Sequence, residues 1–173
     1  MRLIVKYGGP SISSVKDIQT IAQNIRLLSK KNEVTVVCSA VHGITDDLLE
    51  ISDLIRNEDK SKAEQVVSKI INKHKQLAMK AVKKPNLQKK LLSKLDQDFS
   101  ELLALIDGIV LLGEVTSRSM DYLSSFGERL SMKLISAAIN DIGKKSVPLT
   151  GKEVGIVTDS VFGESKPLMD TTR

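Results

Sequence analysis

Aromatic residues make up only 3% of the 173 residues, tryptophan is absent, and there is a single cysteine, Cys38. Each scarcity removes a class of function. A surface that stacks on unpaired bases needs aromatic faces, and this chain has two tyrosines and three phenylalanines in all. A lone cysteine closes no internal disulfide and builds no thiolate metal cluster, which fits a reducing interior. No apolar run approaches the ~20 residues needed to span a bilayer, and the opening MRLIVKYGGP passes from a strand pattern into a glycine turn without a signal-peptide design. Neither a Walker A loop nor a G-x-G-x-x-G turn is present, so the common nucleotide folds are not indicated. The expectation is one cytoplasmic unit with a single core and no membrane contact.

What is abundant is lysine. The formal net charge is +5, and from Lys60 to Lys94 there are eleven lysines with Glu64 as the one acid. Such a segment could track a phosphate backbone, but no aromatic interleaving or nucleic-acid motif accompanies it. A solvated helix face is the expected role, and nucleic acid is not the expected partner.

Leu3 to Tyr7 reads as a short buried strand stopped by Gly8, Gly9 and Pro10. Ser14 and Asp17 have capping-box spacing, and Ile18, Ile21, Ala22, Ile25 and Leu28 follow at helical period. Val34 to Ser39 is the next strand, apolar enough to be parallel and covered on both sides. Helical periodicity then runs through Leu48 to Ile55, through Val66 to Val82, and, after Pro85, through Leu87 to Ile106. Ser125 and Glu128 repeat the capping-box spacing ahead of Leu130, Leu134, Ile135, Ala138 and Ile139, a helix that Gly143 stops. Ser146 to Leu149 and Val154 to Thr158 read as short strands that resume the sheet. The class is α/β with a mainly parallel sheet sandwiched by helices, and a helical insertion occupies about 46–124.

Lys6-Tyr7-Gly8-Gly9-Pro10-Ser11 sets a cation and two glycines at the carboxyl end of the first strand, the edge where open α/β sheets take ligands. Glycines let backbone N–H groups approach phosphate oxygens, and a strand-end lysine neutralises charge on a transferred phosphoryl group. The bland reading is a plain turn beside a surface lysine. The second strand ends in Ser39-Ala-Val-His42-Gly-Ile-Thr45-Asp46, so Ser39 and Thr45 can offer hydroxyls at the same edge. Alternatively, Thr45 caps the next helix and Ser39 satisfies a loop. Glu128 has a similar rival role as a helix cap.

These blocks, with Ser125-Phe-Gly-Glu-Arg-Leu-Ser131, Gly155-Ile-Val-Thr-Asp159 and Phe162-Gly163, resemble the amino-terminal part of the aspartate kinases of the amino acid kinase superfamily. The resemblance implies a carbamate kinase-like fold and phosphoryl transfer from ATP to the side-chain carboxylate of L-aspartate, with Mg2+ on the nucleotide phosphates. Lys6 would stabilise the moving phosphoryl group, and Gly8, Gly9 and Ser11 would bind phosphate. Ser39, Thr45 and Glu128 would line the aspartate site, Glu128 holding the ammonium. It also implies a homo-oligomer in the full-length form.

Two departures stand out: Pro10 replaces a threonine, and Glu164-Ser165-Lys166 is polar where the family favours a small residue. The family's G-F-I-G and G-R-G-G-S-D segments do not occur before Arg173. The nucleotide-binding half and regulatory domains are therefore expected outside this sequence, the domain is incomplete, and these 173 residues alone are expected to be inactive. Other readings are a superfamily member acting on acetylglutamate, glutamate, carbamate or uridylate, or a noncatalytic nucleic-acid-binding or assembly module.

Overall fold

The computed structural model describes residues 1–172. β1 (Arg2–Tyr7) and β2 (Glu33–Cys38) pair in parallel, from Arg2 opposite Glu33 to Tyr7 opposite Cys38. α1 (Val15–Leu28) connects them and buries Ile18, Ile21, Ala22 and Ile25. Its start follows the sequence pattern: the Ser14 hydroxyl accepts from the Asp17 N–H, and the Asp17 carboxylate accepts from the Ser14 N–H at 2.9 Å. Hydrogen bonds from the Ser13 and Ser14 side chains hold the Asp17 carboxyl below its ordinary pKa.

The period-2 alternation of the strands decides which sheet face is covered. Val5, Tyr7, Val34, Val36 and Cys38 pack against the helical core, whereas Ile4 is 74% exposed and Val37 46%. Among the described residues, helices therefore cover one face, and the expected second layer is not there.

Four helices follow: α2 (Ile44–Arg56), α3 (Lys60–Ala81), α4 (Pro85–Leu112) and α5 (Ser117–Asp141). Pro85 lies in the first turn of α4, where its missing N–H costs nothing. The Asp141 carboxylate accepts from the Lys83 and Lys84 N–H groups at 3.0 and 2.7 Å, which ties the α3–α4 turn to the end of α5. Leu95, Leu102, Leu123, Phe126, Leu130 and Leu134 are fully buried, each contributing about 1.5–3 kcal/mol of transfer free energy.

Three expectations are corrected. Ser125 and Glu128 start no helix: α5 begins at Ser117, where Thr116 and Ser119 make the reciprocal cap, and the Ser125 hydroxyl donates instead to the Tyr122 carbonyl. Ser146 to Leu149 is not a strand, because the Asn140 amide takes the Ser146 N–H at 3.1 Å and carbonyl at 2.9 Å, groups a ladder would need. Val154 to Thr158 is not a strand either. The Val154 and Ile156 N–H groups turn back to the Thr150 and Gly151 carbonyls, leaving one isolated bridge between Thr158 and Pro167. Gly143, at φ 83°, does end α5, with the Lys144 N–H on the Ile139 carbonyl.

The lysine-rich helices do more than face water. Lys69 pairs with the buried Asp47 at 2.7 Å, and Lys75 with Asp96 at 2.8 Å. Between α4 and α5, Asp98, with its side chain 4% exposed, accepts from Arg129 at 3.0 Å and from Lys133. Arg129 also lies 4.4 Å over the Phe126 ring and reaches Glu101.

Gly127 allows α5 to approach the loop after β2 closely. A Cβ there would stand 2.7 Å from the Ala40 Cβ, an atom fixed to backbone. Gly127→Ala gains about 1 kcal/mol in helix propensity but loses about 1–3 kcal/mol to overpacking. The expected outcome is net destabilisation in urea melts, with stability regained in the Gly127→Ala/Ala40→Gly double variant.

His74 is fully buried on α3. Its Nδ1 meets the Ile70 carbonyl at 2.8 Å, while Nε2 has no partner. Burial, helped by the Lys73 charge, lowers its pKa below the ordinary value of 6.5. The folded chain then binds fewer protons than the unfolded one. Stability from this group is present above pH ~6.5 and falls toward pH 5 with a slope of up to ~1.4 kcal/mol per pH unit. Urea midpoints from pH 7 to pH 5 should decline in the parent chain and flatten over that range in His74→Leu.

Candidate functional site

The carboxyl ends of β1 and β2 carry two loops that are stitched together. The Ser39 N–H continues the ladder to the Tyr7 carbonyl at 3.0 Å, and the His42 N–H reaches the carbonyl of the buried Ile12, also at 3.0 Å. Between them, Gly9–Ser11 forms a single 3-10 turn closed by the Ser11 N–H on the Gly8 carbonyl. Pro10 stands in its first turn, so the residue that departs from the resemblance is well suited to the local backbone. A Cβ on Gly8 would meet nothing nearer than 3.9 Å, and one on Gly9 would make only ordinary contact, 3.5 Å from the Ala40 carbonyl. Neither glycine has a positive φ. Local packing and backbone conformation therefore do not account for the pair of glycines.

α5 closes the third side. With Gly127 against Ala40, the buried Ser131 hydroxyl donates to the Ser39 carbonyl at 2.5 Å and touches the Cys38 sulfur at 3.6 Å. Glu128, one residue from the contact, is exposed. Burial pushes the Cys38 thiol up from its ordinary pKa, and the Glu128 charge adds to that. From the insertion, the Lys73 ammonium donates to the His42 carbonyl at 2.7 Å and holds the second loop from behind.

The seven residues singled out by sequence thus divide as follows. Gly8, Gly9, Ser11 and Ser39 share the stitched loops, Lys6 is next to last in β1 on the open face of the sheet, and Glu128 lies on α5 beside the Gly127–Ala40 contact. Thr45 is the second residue of α2. It does not cap that helix, because Gly43, at φ 80°, is the N-cap and supplies no side-chain bond. The bonds and ion pairs of this region use backbone atoms, Ser131 and Lys73. Among the described residues, none uses the side chains of Lys6, Ser11, Ser39, Thr45 or Glu128.

Sequence reasoning missed three contributors. Ser131 and Gly127 stand four apart on one helix face, a small-residue spacing that signals close approach. Asp121, six residues before Gly127, accepts the Gly163 N–H at 2.8 Å while Arg118 lies 5.5 Å over the Phe162 ring. The Phe162-Gly163 block is thereby docked on α5. The Asp98–Arg129–Lys133 network had no signal in spacing, since its members come from two helices.

The donor set consists of an ammonium, hydroxyls and free backbone N–H groups, with one carboxylate. That set fits an anion carrying a cationic group. It does not suit a bare metal ion, and among the described residues no three His, Cys, Asp or Glu side chains converge to hold one. None of the described helices is long and apolar enough to cross a membrane.

Known proteins carry the same framework. The sequence model of the amino acid kinase family matches residues 1–170. Aspartokinase 1, chloroplastic, of Arabidopsis thaliana is 30% identical over 159 residues, 92% of this chain and 27% of its own length. The aspartokinase of Saccharomyces cerevisiae is 30% identical over 154 residues, 83% of this chain and 29% of its own. In structure, E. coli aspartokinase III, in complex with aspartate and ADP, superposes with a TM-score of 0.82 at 19% identity, covering 99% of this chain and 36% of that one. The chain spans 27% and 29% of the length of those two sequence relatives. A family match over nearly every residue carries the conclusion: this chain belongs to the amino acid kinase family.

Proposed function

We propose that the chain is the amino-terminal, aspartate-binding part of an aspartate kinase, transferring the γ-phosphoryl group of ATP to the side-chain carboxylate of L-aspartate. The supporting observation is the convergence of two glycine- and serine-bearing loops with the Glu128 turn of α5 at the end of a parallel strand pair, their polar side chains without hydrogen-bond partners among the described residues. In this reading a carboxylate oxygen attacks the γ-phosphorus, the bond to the bridging oxygen breaks, and ADP leaves as 4-phospho-L-aspartate forms. Lys6 neutralises charge on the equatorial oxygens. The Gly8 and Gly9 N–H groups and the Ser11 hydroxyl hold phosphate; Ser39 and Thr45 orient the substrate, and Glu128 accepts its ammonium. Catalysis is then positioning and charge neutralisation, with no covalent enzyme intermediate. Magnesium, carried on the nucleotide phosphates, would supply further charge screening.

Homo-oligomerisation of the full-length enzyme, a cytoplasmic setting and a role in lysine, threonine and methionine biosynthesis belong to the same proposal. A second reading within the family is a kinase for another carboxylate or carbamate. The relatives' consistent identity as aspartokinases favours aspartate.

Hydroxylamine trapping of acyl phosphate in the full-length enzyme tests the assignment. Lys6→Ala should lower kcat by about 10²–10³. Glu128→Gln should raise the KM for aspartate by about tenfold or more, as expected for loss of a charge-assisted contact. Faster turnover of acetylglutamate, glutamate or carbamate than of aspartate would reject aspartate as the substrate. A Lys6→Ala variant of unchanged kcat would remove that lysine from the mechanism.

A further inference from the structure

A groove of about 310 Å³ lies between α5, α4 and the 145–148 segment. Lys90 and Lys94 line it from α4, Lys133 from α5, and Lys145 from the segment. Its floor is apolar, made by Leu87, Leu91, Ala137 and Pro148. Lys133 is paired with Asp98, whereas Lys90, Lys94 and Lys145 gather like charges at one cavity, whose mutual repulsion an anion among them would offset.

The groove is built as well as charged. Asn140 bonds both the N–H and the carbonyl of Ser146, so the backbone bearing Lys145 is fixed at the rim. Asp98 anchors Lys133 from below. Ser136, only 5% exposed, lines the wall, and its hydroxyl has no hydrogen-bond partner among the described residues. Lys90, Lys94 and Lys145 form no ion pair among the described residues. One further carboxylate stands near. Hydrogen bonds from the Thr150 N–H and hydroxyl hold the Glu153 carboxyl below its ordinary pKa, and the Lys133 and Lys94 charges add to this. Asp98 is shared between Lys133 and Arg129, so the lysines of the rim keep a local excess of positive charge.

We infer that this groove binds a small organic polyanion, an aliphatic body carrying two or more carboxylate or phosphate groups. The apolar floor takes the carbon skeleton, the lysine rim takes the charges, and the Ser136 hydroxyl supplies a donor at the wall. The site is separate from the loops at the ends of β1 and β2 and does not depend on the kinase assignment. A long nucleic-acid backbone is the less favoured occupant, since Lys69 and Lys75 are engaged in ion pairs and Lys73 on the His42 carbonyl.

Titration calorimetry of the 173-residue chain with citrate and with pyrophosphate, at about 50 mM salt where screening is weak, tests this. The expected result is one saturable site with Kd below about 1 mM. Lys94→Ala/Lys145→Ala should weaken it by about tenfold or more, Ser136→Ala by a smaller factor, and Glu153→Gln should tighten it by removing a competing charge. Citrate preferred over pyrophosphate would assign the carboxylate source, and the reverse the phosphate source. Absence of saturable binding by both would overturn the inference. So would an equal loss in a Lys60→Ala/Lys62→Ala control, or tighter binding of an RNA oligonucleotide, because either means diffuse charge and no built site. Circular dichroism checks that each variant keeps its helices.

Discussion

Gly127 lets α5 come so near the second loop that a methyl group in its place would overlap Ala40, and one turn later the Ser131 hydroxyl donates to the carbonyl of Ser39. The rest of the arrangement follows from that contact. β1 and β2 alone are a two-stranded sheet with one open face, too little to define a cleft. Once α5 is seated on Ser39–Ala40, its helical geometry sets the direction of Glu128. The same seating exposes Asp121 to the Phe162-Gly163 turn, so three stretches far apart in the chain meet on one helix. A buried hydroxyl with its partner supplied costs little, whereas an apolar residue at 131 would leave the Ser39 carbonyl without its bond.

Charge serves two different ends in this chain. Asp98 is buried with two cations, an arrangement that adds little net stability relative to a hydrophobic alternative but is costly to break from one side. It fixes the rotation of α5 against α4, and with it the azimuth of Glu128. Lys73 acts on the other loop, where an ammonium on the His42 carbonyl satisfies an acceptor that would otherwise face water. The insertion therefore braces the site from outside, and its lysine excess is partly spent within the fold.

How far this was legible in sequence depended on whether local chemistry or a distant partner decided the outcome. Ser14 and Asp17 capped α1 as their spacing requires, because no earlier cap competes with them. Ser125 and Glu128 have the same spacing and failed, because Thr116 had already begun the helix two turns upstream. Spacing identifies a potential cap; only its place along the helix decides its use. The strands expected at Ser146 to Leu149 and Val154 to Thr158 failed for a related reason. A strand exists through its neighbour's hydrogen bonds, and here Asn140 and the Thr150–Glu153 turn took those groups first. The loop residues were readable from glycine and hydroxyl chemistry, while Asp98 and Arg129 meet only through tertiary packing.

The economy of partners around the two loops separates scaffold from site. The carbonyls of Tyr7, Gly8, Gly9, Ile12 and Ser39 all accept hydrogen bonds, so the loops hold their shape with no ligand needed. Among the described residues, the side chains of Lys6, Ser11, Ser39, Thr45 and Glu128 are not so engaged. In a region otherwise thoroughly bonded, that division is what preorganisation requires: donors and a carboxylate fixed in direction by a satisfied backbone, with their own bonds still to be made. Pro10 fits the same logic. It stiffens the turn at a position whose N–H a 3-10 turn does not use, and so shifts the work of gripping an anion onto Lys6, the glycine N–H groups and Ser11.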